Sequence, residues 1–156
     1  MKWIRFLVTG FGAGRAPVAP GTFGTLVAIP FVVAFHQLSP MAYMGLTLLV
    51  SGGAIILVEY YQQSVGTHDS SEIVIDEIAG YLVSMTWLPV TWRSMTLSFV
   101  FFRILDAAKP FPISYLDEKM KGGVGVVADD LAAGLIANIA MQIIFVNTNW
   151  LGVQAV

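Results

Sequence analysis

The 156-residue chain is 56% apolar and only 12% charged, about half the charge of an ordinary soluble domain. Eight Lys or Arg against ten Asp or Glu give a formal net charge of −2. That balance excludes the basic surface nucleic acid would need, and the apolar content excludes disorder. No cysteine is present, which removes disulfides, thiolate metal ligands and a cysteine nucleophile together.

The length suits one domain over residues 1–156, with no internal repeat or low-complexity linker to divide it. At the start, Met1-Lys2-Trp3-Ile4-Arg5 is basic, but the apolar stretch after it breaks at Gly10 and no cleavage site follows. A signal peptide is therefore not expected. Residues Ala16 to Val58 and Leu131 to Val156 contain no formal charge, and runs of that length approach or meet the roughly 20 apolar residues of a spanning helix. In chain order the pattern predicts helices over about 23–38, 42–60, 74–90, 94–108 and 131–149. Ser39-Pro40 forms the turn between the first two, and Leu88 to Arg93 forms the turn between the third and fourth, with Trp92 at the interface. The expected fold is all-α: a polytopic membrane bundle of about four to five hydrophobic helices.

Two hairpins in that arrangement place the start of the chain, Gln62 to Glu72 and Lys109 to Asp130 on one face. Lys2, Arg5, Arg15, Arg103, Lys109, Lys119 and Lys121 fall on or just inside that face, and Arg93 falls opposite. The bias of basic residues makes the crowded face cytoplasmic. All ten acids lie between Glu59 and Asp130, so they gather on or near the same side.

Four segments can carry chemistry. The first runs Gly10-Phe11-Gly12-Ala13-Gly14-Arg15 through Pro20-Gly21-Thr22. Its glycines allow close approach to a ligand, Thr22 marks a helix start whose free N–H groups favour an anion, and Arg15 can grip phosphate in two places. A flexible entry loop capped by Thr22 is the plainer reading. The second segment, His68-Asp69-Ser70-Ser71-Glu72 to Asp76-Glu77, reads as a helix from about Ser71. Asp69-Ser70-Ser71-Glu72 fits a capping box that would account for Ser70 and Glu72, whereas Asp76 and Glu77 fall past the first turn, where paired carboxylates in an apolar helix require a neutralising cation. His68 is either a proton carrier or a loop histidine. In the third, Arg103, Asp106 and Lys109 recur every three residues along one helix face that Pro110 ends, forming either a self-neutralising ladder or two cations aimed at a phosphate. In the fourth, Asp129-Asp130 follow the glycine-rich Gly122 to Gly125 where the last helix is expected to begin. One of them could be its N-cap; two together suit oxygen ligation of Mg²⁺. Asp117-Glu118-Lys119 reads as a solvated loop or surface helix.

Together these segments resemble the phosphatidylglycerophosphatase A family of bacterial enzymes, which remove the terminal phosphate of phosphatidylglycerophosphate. The resemblance rests on Gly-x-Gly-x-x-Pro-x-x-Pro-Gly-Thr-x-Gly-Thr from Gly12 to Thr25, and on His68-Asp69 with Asp76-Glu77-Ile78-x-Gly80. It extends through Phe102-Arg103-x-x-Asp106-x-x-Lys109-Pro110-x-Pro112 and Gly122-Gly123-x-Gly125 leading to Asp129-Asp130. It implies a helical, Mg²⁺-dependent phosphatase acting on a phospholipid, and the charge-free runs point to a form held in the bacterial cytoplasmic membrane. In that reading Asp76, Glu77, Asp129 and Asp130 hold Mg²⁺, while Arg103, Lys109, Arg15 and the Thr22 turn bind phosphate. Asp69 or Asp106 activates water, with His68 carrying a proton. The competing class is a membrane cation transporter using Asp76, Glu77, Asp106 and Asp130, which would require broken helices related by a repeat that the sequence lacks.

Overall fold

Several helix ends in this chain are set by residues whose local chemistry stops or starts a turn. The computed structural model describes residues 1–66 and 70–152, and within them seven α-helices and no strand occur. They are α1 (Lys2–Val8), α2 (Pro20–His36), α3 (Pro40–Val65), α4 (Ile75–Ser84), α5 (Trp92–Ala108), α6 (Ile113–Lys119) and α7 (Gly122–Asn147). A 3-10 turn, Ala13–Arg15, precedes α2. The α2–α3 turn forms as expected: Pro40 opens α3 and the Ser39 hydroxyl accepts from the Ala42 N–H at 3.2 Å. α3 stops at Gly66, which supplies φ 73°. A capping box between Thr91 and Ser94 starts α5, and Lys109 in the left-handed region followed by Pro110 ends it.

α3 and α7 have 26 residues each, about 39 Å of helix, and both are long and apolar enough to cross a membrane. Their inward faces repeat every three or four residues and are small or polar. On α3 these are Thr47, Ser51, Ala54 and Val58; on α7 they are Val127, Asp130, Gly134 and Ala137. Their outward faces expose Leu48, Leu49 and Ile56, and Leu135, Ile139, Ile143 and Val146, the reverse of the polar outer face on a soluble protein's helix.

Three boundaries differ from expectation. The helix expected over 74–90 is the ten-residue α4, about 15 Å long and half a hydrocarbon core. It ends early because α7 supplies partners for its last carbonyls: the Asn138 side-chain amide donates to Ser84 O and Thr86 O, and Gln142 donates to Thr86 O. The last helix begins at Gly122, nine residues before the expected 131. A Cβ at Gly123 would lie 2.3 Å from Ile55 O of α3, so a small residue is what this close crossing admits. Asp129 and Asp130 are thus in the helix interior and neither is an N-cap. Finally, the helix expected from about Ser71 starts at Ile75, so Glu72 lies before α4 and Asp76 and Glu77 fall in its first turn; Asp69, the other half of the expected capping box, lies outside the described residues.

α4 sits at the centre, buried on nearly every side and packed chiefly on α7. A Cβ at Gly134 would lie 2.1 Å from Gly80 O, so the two backbones nearly touch. Ile78, Tyr81, Leu82, Phe102, Ala133, Ala137 and Met141 close the core around that contact. This packing brings the start of α4 beside the first third of α7, where the acids are.

Candidate active site

The N-terminal ends of α2 and α4, the C-terminal end of α5, the helix α6 and the first turns of α7 surround a cleft of about 760 Å³. Seven acids line it: Asp76, Glu77, Asp106, Asp117, Glu118, Asp129 and Asp130. Among the described residues three cations do so, Arg103, Lys109 and Lys121. The described cleft thus gathers seven acids with three basic residues, a formal excess of four negative charges.

Asp76, Glu77 and Asp130 each offer a carboxylate oxygen, and these oxygens lie within 4.8 Å of one another. Asp76 and Asp130 are buried. The Glu77 N–H donates to Asp76 Oδ1 at 3.1 Å, and Glu77 Oε2 is buried without a hydrogen-bond partner among the described residues. Like charges this close repel by about 3.5 kcal/mol per pair at an effective dielectric near 20. The donor set is all hard oxygen, one donor is orphaned, and the charge is only partly offset by Arg103, which fits a small divalent cation such as Mg²⁺.

Arg103 reaches into the same cluster from α5. Its Nη1 lies 2.6 Å from Asp106 Oδ2 and 3.9 Å from Glu77 Oε1. A Cβ at Gly21 would sit 2.2 Å from Glu77 Oε1 and 3.0 Å from both Arg103 Nη atoms, so the first turn of α2 forms a wall of the cluster only because it carries glycine there. The expected Arg103–Asp106–Lys109 row is not a self-contained ladder. Lys109 Nζ instead donates to Asp129 Oδ2 at 2.6 Å and to Asp117 Oδ1 at 2.7 Å. Partial burial opposes its charge, but the bonds to Asp117 and Asp129 outweigh that and hold the ammonium above the usual lysine value. Asp129, grouped with the metal ligands at the sequence level, therefore faces Lys109 while the other three carboxylates converge.

Arg15 and Thr22 do not line the cleft. Arg15 is exposed, with its Nε 4.0 Å from Glu72 Oε2. Glu72 is held mainly by Arg5, whose Nη2 donates at 2.8 Å, and it also accepts from the Tyr61 hydroxyl. Arg5 keeps the Glu72 carboxyl below its usual value. His68 and Asp69 lie outside the described residues. Two participants were not singled out in the sequence. Asp117, read as surface, pairs with Lys109, and its spacing on α6 gave no sign of that. Glu59 of α3 accepts from the Gly123 N–H at 2.6 Å, placing an acid against the start of α7 where the helix dipole favours it; it is the first acid after the long uncharged run.

Such an arrangement, an acid cluster faced by two cations in a cleft at one end of an apolar helical bundle, defines a helical protein equipped for phosphate chemistry. The family model "Phosphatidylglycerophosphatase A" matches residues 6–145, and the chain belongs to that family. Escherichia coli (strain K12) phosphatidylglycerophosphatase A is 37% identical over 145 residues, covering 92% of this chain and 83% of the relative. The Haemophilus influenzae protein of the same name is 34% identical over 140 residues, covering 88% and 86%. No solved structure matches the chain. Family membership makes the chain a phosphatase and gives no support to the transporter reading.

Proposed function

We propose that the chain hydrolyses the terminal phosphate monoester of phosphatidylglycerophosphate, releasing phosphatidylglycerol and inorganic phosphate at a membrane surface. The observation that carries this reading is the convergence of Asp76, Glu77 and Asp130 opposite Arg103 in the cleft of a chain whose relatives are named for that activity. An excess of four negative charges repels a phosphate unless a cation joins it. Asp76, Glu77 and Asp130 would hold Mg²⁺, which when bound neutralises the cluster and polarises a phosphoryl oxygen.

The remaining roles belong to side chains. Arg103, steadied by Asp106, stabilises charge on the phosphoryl oxygens, and Lys109, oriented by Asp129 and Asp117, does the same from the other side. Asp106 accepts a proton from the attacking water; the water oxygen bonds to phosphorus as the bond from phosphorus to the glycerol oxygen breaks. That proton goes to the departing oxygen, so the step balances. Arg15 and Thr22, set back from the cleft, take no part in this step.

The outward apolar faces of α3 and α7 support a membrane setting. We place the protein in the bacterial cytoplasmic membrane as a multi-pass protein. The cleft lies on the cytoplasmic side, where the positive residues cluster. Phosphate release from phosphatidylglycerophosphate by the purified chain in detergent, with Mg²⁺ and then with a chelator, tests the function. Mg²⁺-dependent release is expected; no release from any phospholipid monoester refutes it.

A further inference from the structure

The seam between α2 and α5 opens into a second cavity of about 320 Å³, lined by Leu26 and Ile29 of α2 and by Trp92, Met95, Thr96 and Phe99 of α5. Its walls are almost wholly apolar. Helix register ties this groove to the acid-rich cleft. At the cleft end Gly21 of α2 lies against the Arg103 guanidinium of α5. Eight residues along α2 from Gly21 is Ile29, and eight residues back along α5 from Arg103 is Met95. Both face the groove. The two helices are therefore antiparallel, and the groove continues the seam that starts at Arg103, extending to about 12–16 Å from it. Leu26 and Trp92 at its edges are 45% and 71% exposed, so it opens sideways through the apolar outer surface. An occupant that reaches both cavities carries an anionic head and a narrow apolar tail.

The geometry points to an acyl-chain seat: one hydrocarbon tail of the phospholipid substrate lies in the α2–α5 groove while its phosphate lies in the cleft. The inference rests on the proposed lipid phosphatase function. A tail moving from lipid or detergent into this groove leaves one apolar medium for another and gains little hydrophobic free energy. What the seat supplies is orientation, because a tail fixed along the seam points the headgroup at Arg103.

The test compares a dioleoyl substrate with its deacylated, water-soluble headgroup, using the full chain in detergent. Ile29→Trp and Thr96→Trp fill the groove, and Ile139→Trp on the outer face of α7 is the control. Groove filling is expected to lower kcat/KM on the dioleoyl substrate on the order of tenfold and to leave the deacylated substrate and the control unchanged. In parallel, phosphatidylglycerol with a photoactivatable tail is expected to label peptides 26–29 and 92–99, and Ile29→Trp is expected to remove that label. This second measurement stands even if one tryptophan variant does not fold. Equal losses on both substrates, or labelling spread over α3 and α7 instead, overturn the seat. Conversion of a dimer to monomers by the groove variants overturns it too, by making the groove a contact between copies. Release from neither substrate by the unsubstituted chain overturns the phosphatase reading itself, and the seat with it.

Discussion

Replacing Gly21 by alanine separates stability from chemistry in a way the structure makes quantitative. The new methyl would sit 2.2 Å from Glu77 Oε1 and 3.0 Å from both Arg103 Nη atoms. Ordinary contact requires the carboxylate to retreat by more than about 1 Å. Both displaced groups are ends of flexible side chains, so the fold accommodates the change, and alanine in a helix is favoured over glycine by about 1 kcal/mol. Melting temperature should therefore hold or rise slightly. The displaced atoms are, however, the proposed cation ligand and the phosphate-binding cation, and a misplacement of about 1 Å costs on the order of a hundredfold in rate. Steady-state phosphate release, measured alongside thermal unfolding of the same preparation, reads both quantities. An alanine variant within about threefold of the parent's kcat/KM, about 0.65 kcal/mol, would refute the assignment of Glu77 and Arg103 to the working site.

Other substitutions separate different parts of the account. Gly134→Ala places its Cβ 2.1 Å from a backbone oxygen, Gly80 O, which cannot swing aside; a loss of about 1–3 kcal/mol and a lower melting temperature are expected, and activity should fall with the α4–α7 spacing. Asp130→Asn removes a charge from two close carboxylate pairs; activity should drop at least about a hundredfold in kinetic assays, with no rescue by excess Mg²⁺. For Glu72, whose carboxyl is held below its usual 4.5 by Arg5, the sign follows directly. A folded-state value below the unfolded one adds stability above the usual value and loses it as pH falls through the lowered one. In thermal unfolding from about pH 6 to about pH 3, Glu72→Gln should melt below the parent at the higher pH and converge with it at the lower.

Much of this was legible in the chain because helix ends and apolar runs are local. Ser39-Pro40, the turn before α5 and the Lys109-Pro110 stop can be read from neighbouring residues, and each helix boundary there falls within two residues of where the sequence puts it. The acids of the cleft stood out because a chain this short of charge has few places to put them. What escaped depends on partners far along the chain. The end of α4 is set by Asn138 and Gln142, more than fifty residues away. Glu72, expected to close a capping box with Asp69, instead pairs with Arg5, 67 residues distant. Residues 122 to 125 have the composition of a loop, yet they open α7, with Gly123 pressed against the Ile55 carbonyl of α3 and Gly125 against Met120. Lys109, at helical spacing from Asp106, turns to Asp117 and Asp129 once Pro110 breaks the helix.

The central claim is that Asp76, Glu77 and Asp130 hold the cation on which lipid phosphate hydrolysis depends. Titrating Mg²⁺ into metal-free protein while following both melting temperature and phosphate release measures this directly, because ligand binding to the folded state stabilises it by about 2.7 kcal/mol at a hundredfold excess over Kd. Phosphate release is expected to saturate over the Mg²⁺ range above which the melting temperature climbs steadily with the logarithm of concentration, and Asp76→Asn is expected to abolish both responses. Full activity in the presence of a chelator, or an unchanged Mg²⁺-induced rise in melting temperature in Asp76→Asn, would contradict it.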